Sequence, residues 1–371
     1  MSENGHTDCR RLRIHHLTFR VSNARQAASW YCLHFGFHPI AYRVFQVNGL
    51  EMVHHVVGLK ETKFVLEACN SAKSPEVGVQ LSRHGDAIVD VAFEVDYLDE
   101  VLQGVKSRGG KLVAEPREEG DPQGSVRLAV VHALGDVNHT LINRGDYRGA
   151  FLPGYTVSPL ATPLATVQQF LPDIRNLEYI DHVALNVLDY KPIKEWYLDV
   201  LKMHRFWSTD EGFNKVPGLT AEALSNDAGD FFMFFGEPNK TAPNSQVLQY
   251  LDYNGGPGVQ HIALHTDDIL GAVESLKQRG VDFLNIPKVY YTQLRERLKD
   301  SAISVTHDLD KIENSRILLD FDNDGYLLQI FTKPLCDRKT VFLEIIQRFN
   351  HKGFGAGNIR ALMEAIQAEK A

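Results

Sequence analysis

A short strand-like block, Ile14-His15-His16-Leu17-Thr18-Phe19, recurs as Ile180-Asp181-His182-Val183-Ala184-Leu185, and Trp30-Tyr31 recurs at the same offset as Trp196-Tyr197. A second block, Val89-Asp90-Val91-Ala92-Phe93, returns as Gln260-His261-Ile262-Ala263-Leu264, and the segments behind the two copies end Lys106-Ser107-Arg108-Gly109 and Lys277-Gln278-Arg279-Gly280. A third pair, Thr140-Leu141-Ile142-Asn143-Arg144 and Glu344-Ile345-Ile346-Gln347-Arg348, aligns on its arginines. Self-similarity of this kind demands two copies of one structural unit, so matching residues occupy equivalent places in space. The copies differ in chemistry at three matched positions. The first half carries His16, Asp90 and Thr140; the second carries His182, His261 and Glu344. Two histidines and a carboxylate are a set able to hold a divalent metal and leave coordination positions open.

Composition narrows the partner. With 371 residues there is room for two domains, each with its own core. A formal charge of −8, with no basic stripe, argues against nucleic acid and for a small molecule. The cysteines (Cys9, Cys32, Cys69, Cys336) are far apart with no CxxC pair, which excludes a zinc ribbon or a disulfide framework and suits a reducing compartment. No apolar run approaches the ~18 residues of a membrane span. Met1 to Arg13 lacks the apolar core of a secretory signal. A cytoplasmic location is expected, and Arg10, Arg11 and Arg13 leave a mitochondrial address open.

Hydrophobic periodicity sketches the units. Strands are expected at 14–21, 38–44, 53–57 and 63–69 with a helix at 24–35, then strands at 88–95, 126–133 and 138–144 with a helix at 97–108. The second half reads as strands at 178–188, 203–208, 245–253, 258–266 and 340–348, a strand pair at 316–333, and helices at 190–201 and 267–279. Tyr290 to Lys299 is an expected helical insertion without a counterpart in the first half. A strand-helix-strand-strand-strand unit thus occurs four times. Gly145 to Pro163, rich in glycine and proline, reads as a connection, which gives a first domain at 1–148, a linker at 149–177 and a second domain at 178–371. A turn at Gly353-Phe354-Gly355-Ala356-Gly357 precedes an amphipathic tail helix with Ile359, Leu362, Met363 and Ile366 at helical spacing.

His182, His261 and Glu344 each sit among apolar neighbours in expected strands, and a strand sends alternate side chains to opposite faces, so all three can aim at the mouth of one curved sheet. Neutral imidazoles and a carboxylate give a dication a net charge of about +1 and suit non-haem Fe(II), whereas zinc prefers closed four-coordinate sites. A single buried histidine in a strand is more often structural. The repeat is what sets this group apart.

Longer motifs resemble a known family. They include Ala24-Arg25-Gln26-Ala27-Ala28, Gly149-Ala150-Phe151-Leu152-Pro153-Gly154 and Gly258-Val259-Gln260-His261-Ile262-Ala263-Leu264. Gly325 to Thr332, Phe342 to Arg348 and Gly353 to Asn358 complete the set. In that order they are similar to the 4-hydroxyphenylpyruvate dioxygenases over nearly the whole chain. The resemblance implies an α+β, vicinal oxygen chelate fold, with four βαβββ modules in two barrel-like halves and one Fe(2+) per chain. It places the iron ligands on His182, His261 and Glu344, with no catalytic residue beyond them. It also implies a substrate pocket of Gln246, Gln260, Gln329, Phe331, Phe342, Phe354 and Asn358, with Phe331 and Phe354 on either side of the substrate ring. The implied reaction belongs to tyrosine catabolism: an aryl-pyruvate and O2 react with loss of CO2, and homogentisate or 4-hydroxymandelate results. A homodimer or homotetramer is expected, with no integral membrane segment.

The departures from the family fall in one region. A pocket serine becomes Ala221. In a run where Met-Pro-Ile-Asn-Glu-Pro is usual, this chain has Met233-Phe234-Phe235-Gly236-Glu237-Pro238, and Ile359 stands where phenylalanine is usual. Ala221, Phe234, Gly236 and Ile359 are therefore expected to alter specificity, because losing groups that pair with a substrate hydroxyl reduces discrimination. Three rivals stand beside this reading: an extradiol catechol dioxygenase, a glyoxalase-type zinc enzyme, and a non-catalytic metal-binding or regulatory homologue. The first needs a His or Tyr acid–base group near the metal, where this chain offers glutamines and phenylalanines.

Overall fold

The computed structural model describes residues 11–359 except 73, 175, 210–215, 217 and 239–244. The first half runs β1 (Leu12–Arg20), α1 (Ala24–Phe35), β2 (His38–Val47), β3 (Leu50–Leu59), β4 (Thr62–Cys69), α2 (Pro75–His84), β5 (Ala87–Val95), α3 (Leu98–Ser107), β6 (Leu112–Asp121), β7 (Gly124–Leu134) and β8 (Val137–Asn143). After α4 (Ala161–Gln168), the second runs β9 (Leu177–Asn186), α5 (Lys191–Asp199), β10 (His204–Ser208), β11 (Leu219–Ser225), β12 (Phe232–Pro238), α6 (Gln246–Asn254) and β13 (Gly258–Thr266). It ends with α7 (Ile269–Gln278), α8 (Lys288–Lys299), α9 (Leu309–Ser315), β14 (Leu318–Phe321), β15 (Tyr326–Phe331) and β16 (Phe342–Phe349).

The duplication holds strand for strand. One sheet has the order β2-β3-β4-β1-β5-β8-β7-β6, the other β10-β11-β12-β9-β13-β16-β15-β14. Register is preserved as well. His16 lies opposite Ala92 and His182 opposite Ala263; Asp90 lies opposite Asn138 and His261 opposite Phe342. One face of each sheet joins a core shared by both halves, in which Leu17, Phe19, Val91 and Phe93 pack with Val183, Leu185, Ile262 and Leu264. Helices and loops tie the halves by hydrogen bonds, including Tyr97 Oη to the Leu201 carbonyl at 2.9 Å and Arg279 Nη1 to the Leu33 carbonyl at 2.8 Å. Cys32 is buried there, its thiol pushed up to about 12 by desolvation, so it stays an unreactive packing group.

Residues 245–253 are helix rather than strand. Ser245 caps the first turn by accepting from Val247 N, Gly255 closes the end with φ 67°, and Val247, Tyr250, Leu251 and Asn254 form one buried stripe. Apparent alternation in a nine-residue stretch lost to two good caps. Hydrophobic periodicity also gives no sign of helices α2, α4 and α9 or of strands β6, β11 and β12.

The segment following β8 does more than join the halves. Tyr147, Phe151 and Leu152 fill the concave face of the first sheet against Val56, Val65, Ala92 and Ile142. Phe151 lies 5.1 Å from the His16 ring, and Phe354 lies 5.1 Å from His182 in the second half. Arg144 holds the Gly149 carbonyl at 2.7 Å, and Arg348 holds that of Gly353 at 2.5 Å. The repeat therefore includes an arginine-held turn that drops a phenylalanine onto the first strand's histidine. The tail helix beyond Ile359 lies outside the described residues.

The first half's version of the metal positions is closed. Asp90 accepts from Thr140 Oγ1 at 2.9 Å and from Thr140 N at 3.3 Å, and His16 is turned against His15, 2.7 Å between Nδ1 atoms. Desolvation holds the His16 imidazole well below its ordinary value and raises the Asp90 carboxyl to about 7, against the pull of the Thr140 bonds. A carboxyl whose folded value is raised binds its proton more tightly than the unfolded chain does. Its stabilisation is complete below about pH 4 and is lost as pH rises through about 7. Asparagine can accept from Thr140 N through Oδ1 and donate from Nδ2 to Thr140 Oγ1, without the charge. Asp90→Asn is thus expected to stand level with the wild type near pH 4 and exceed its thermal midpoint by a few degrees at pH 8. Thermal melts at both pH values check this; a gap that does not widen with pH refutes it.

Candidate metal centre

One row of residues crosses the second sheet from β12 to β15: Phe232, His182, Ala263, Glu344 and Phe331, each opposite the next. His182 and Glu344 flank the methyl group of Ala263, and His261 stands two residues away on the same strand face. Small size at Ala263 leaves the space between the three side chains open. The donor atoms converge: His182 Nε2 lies 3.2 Å from His261 Nε2, and both lie 3.4 Å from Glu344 Oε2. These spacings fit a first-row divalent ion bound at ~2.0–2.2 Å. Among the described residues, the set is a mixed imidazole–carboxylate cluster with no other ligand-bearing side chain in it. A second candidate cluster among the described residues, Glu178, His265 and Asp267, is partly exposed, and Lys60 already neutralises Glu178 at 3.2 Å.

Each ligand is fixed from behind. His182 Nδ1 meets Asp181 Oδ1 at 2.7 Å, and Arg348 grips both oxygens of Asp181 at 2.7 and 2.8 Å. His261 Nδ1 meets Gln260 Oε1 at 3.0 Å, made possible by an irregularity in β13 between Val259 and His261. Glu344 Oε1 accepts from Gln329 Nε2 at 3.0 Å. Such partners leave the Nε2 atoms and Oε2 as the free coordinating set. Burial opposes every charge here, but pairing overrides it. Arg348 and His182 hold Asp181 well below the carboxylate range, and the two histidines hold Glu344 at about 2. Against desolvation, Glu344 and Asp181 raise His182 to about 9; desolvation wins at His261, which is lowered. The site thus presents a carboxylate and at least one neutral imidazole, and a divalent ion held at these atoms would have to displace the proton that His182 carries.

The residues expected to line a pocket divide into groups. Phe342 stacks on His261 at 4.9 Å, Phe331 stands edge-on to it at 6.3 Å, and Phe354 stands edge-on to His182 at 5.1 Å, so Phe331 and Phe354 flank the triad on different sides. Gln329 and Asn358 are tied to each other. The Gln329 amide is spent at both ends, on Glu344 and on Asn358 Nδ2 at 2.7 Å, and Asn358 in turn accepts from Tyr290 Oη at 2.6 Å. They form a buried strut from α8 to the Glu344 carboxylate. Gly355 (φ 76°) is required beside it, because a Cβ there would lie 1.8 Å from Gln329 Oε1. Gln246 is exposed at the first turn of α6 and bonds to none of the site residues. Gln260 orients His261.

The altered positions do cluster. Ala221 pairs with Gly236 across β11 and β12, and Ala223 with Phe234. Phe234 joins Phe206, Trp207 and Phe232 around Phe354, at ring separations of 5.4 to 6.2 Å. Ile359 is half-buried just beyond Asn358. The sequence reading missed Asp181, Arg348 and Tyr290 as supports and Trp207 and Phe206 as walls. The recurring arginine at the end of the third repeat was the available signal for Arg348.

Fold and site together define a member of the glyoxalase/bleomycin resistance protein/dioxygenase superfamily, whose family model matches residues 13–132 and 179–330. Within it, the chain is 43% identical to the 4-hydroxyphenylpyruvate dioxygenase of Caenorhabditis briggsae over 96% of its own length and 91% of that protein. It is also 43% identical to the Danio rerio protein of that name, over 97% and 91%. A solved 4-hydroxymandelate synthase variant from Streptomyces coelicolor superposes with a TM-score of 0.77 at 29% identity, covering 96% of this chain and 98% of that one. The chain belongs to the 4-hydroxyphenylpyruvate dioxygenase family and is an enzyme of the non-haem iron dioxygenase type.

Proposed function

We propose that this protein is an Fe(II)-dependent dioxygenase that decarboxylates and hydroxylates 4-hydroxyphenylpyruvate or a close aryl-pyruvate, giving homogentisate or 4-hydroxymandelate. The observation that carries the reading is the buried His182–His261–Glu344 set beside an aromatic chamber, in a chain of this family. Fe(II) held there supplies O2 activation and a chelation point for a 2-oxo acid. Everything else falls to the protein. Asp181, Gln260 and Gln329 keep the three donors aimed, so little reorganisation is needed on binding. His261, with 12% of its side chain exposed against 3% for His182 and 2% for Glu344, marks the side from which a substrate enters. Phe331, Phe354 and the aromatic wall orient the ring and exclude water, and ring orientation selects between attack on the ring and on the benzylic carbon.

Purified protein loaded anaerobically with Fe(II) and then given 4-hydroxyphenylpyruvate and air is expected to consume O2, release CO2 and yield one of the two products by mass spectrometry. Bound iron with neither oxygen uptake nor product would replace this reading with that of a non-catalytic metal-binding homologue. Assembly as a homodimer or homotetramer is proposed from exposed apolar side chains on the connecting segment, with Val157 81% and Phe170 80% exposed. A cytoplasmic location rests on the unpaired cysteines, and no helix among the described residues is long and apolar enough to cross a membrane.

A further inference from the structure

We infer that Asn186 is the group that receives the distal hydroxyl of the substrate, and so sets specificity at the end of the site remote from the metal. The inference rests on the function proposed above. On β9, the residues facing away from the shared core are His182, Ala184 and Asn186, whereas Val183, Leu185 and Val187 belong to it. Asn186 therefore stands on the metal's face, four residues and about 13 Å along the strand from His182. Only the methyl of Ala184 lies between them on that strand.

The neighbouring strands border this lane with small side chains and one aromatic, Phe234. Ala184 pairs with Phe234 and through it with Ala223; Asn186 pairs with Gly236 and through it with Ala221. Gly236 gives up the ground that the amide occupies. A Cβ on it would lie 3.1 Å from Asn186 Oδ1 and 3.1 Å from Leu219 Cδ1. Helix α6 covers this end, with Val247, Tyr250 and Leu251 packed against Leu219.

Asn186 is only 4% exposed, yet its Nδ2 has no hydrogen-bond partner. A buried amide without a partner is costly and rare in a folded chain, and it calls for a reason. Nothing else on the lane offers a donor: Ala184, Ala221, Ala223 and Gly236 have none, and Phe234 is apolar. An aryl-pyruvate chelated by its keto-acid end and laid over Ala184 brings its para-hydroxyl to Asn186. The amide both donates and accepts, so it satisfies a phenol in either sense.

The test uses the full chain loaded with Fe(II) under anaerobic conditions, and calorimetry with 4-hydroxyphenylpyruvate and with phenylpyruvate. Wild type is expected to favour the hydroxylated acid by about tenfold, the worth of one buried hydrogen bond. Asn186→Leu and Asn186→Ala should erase that preference, with 4-hydroxyphenylpyruvate losing its roughly tenfold advantage over phenylpyruvate. Asn186→Leu should also keep or raise the thermal midpoint, since it removes an unsatisfied polar group; a merely structural asparagine would lower it. Wild type without the preference, or variants that retain it, would overturn the assignment and leave the proposed function standing. Wild type that binds neither acid would remove the proposed function, and this inference with it.

Discussion

His261→Ala is expected to abolish stoichiometric Fe(II) binding while leaving the fold in place. Altering a partner of a metal ligand already costs ~10–100-fold in affinity, so removing one of three ligands should cost at least ~100-fold. The fold should survive because His261 is the most exposed of the three; what is lost is the Gln260 contact, the ring contacts to Phe342 and Phe331, and the contacts of its Nε2 to His182 and Glu344. Glu344 keeps His182 and Gln329, so no buried charge is stranded. Metal analysis after loading and desalting, with circular dichroism as the fold control, decides the matter. Iron at the wild-type level in this variant would disprove the ligand assignment.

Arg348→Met should cost the most stability. Its guanidinium is the main partner of Asp181, whose side chain is only 3% exposed, and breaking a buried pair from one side costs ~3–5 kcal/mol. The same change releases the Gly353 carbonyl and removes the cation lying 5.1 Å from the Phe354 ring. A thermal midpoint lower by roughly 5–10 °C is expected, with weaker metal binding because His182 loses its oriented support. Adding Asp181→Asn to Arg348→Met should restore part of the stability, because the stranded charge is then gone. A single variant that melts with the wild type would show that Asp181 is held by something else.

Much of this architecture could be read from residues. The repeat of His16 in His182 and of Asp90 in His261 is reproduced as identical pairing with Ala92 and Ala263, and with Asn138 and Phe342. Strand register is set by side-chain alternation against a core, so sequence periodicity carries it. The misreading at 245–253 has a local cause, since nine residues are too few for period to outweigh caps. The roles of Gln329 and Asn358 were not legible, because an amide's partners depend on which side chains other elements bring to it. Tyr290 comes from α8, for which the repeat offers no template.

By itself the sequence determined that there are two units of one plan, that only the second keeps a candidate metal-binding set, and which three residues make up that candidate set. Those are properties of pattern, and pattern survives in a linear string. Tertiary structure alone decided that Ala263 leaves room between His182 and Glu344, that Arg348 restrains Asp181, and that Gly236 makes way for an unpartnered amide at Asn186. Each of these depends on distances between segments far apart in the chain. Packing sets those distances only once the sheet has curved and closed.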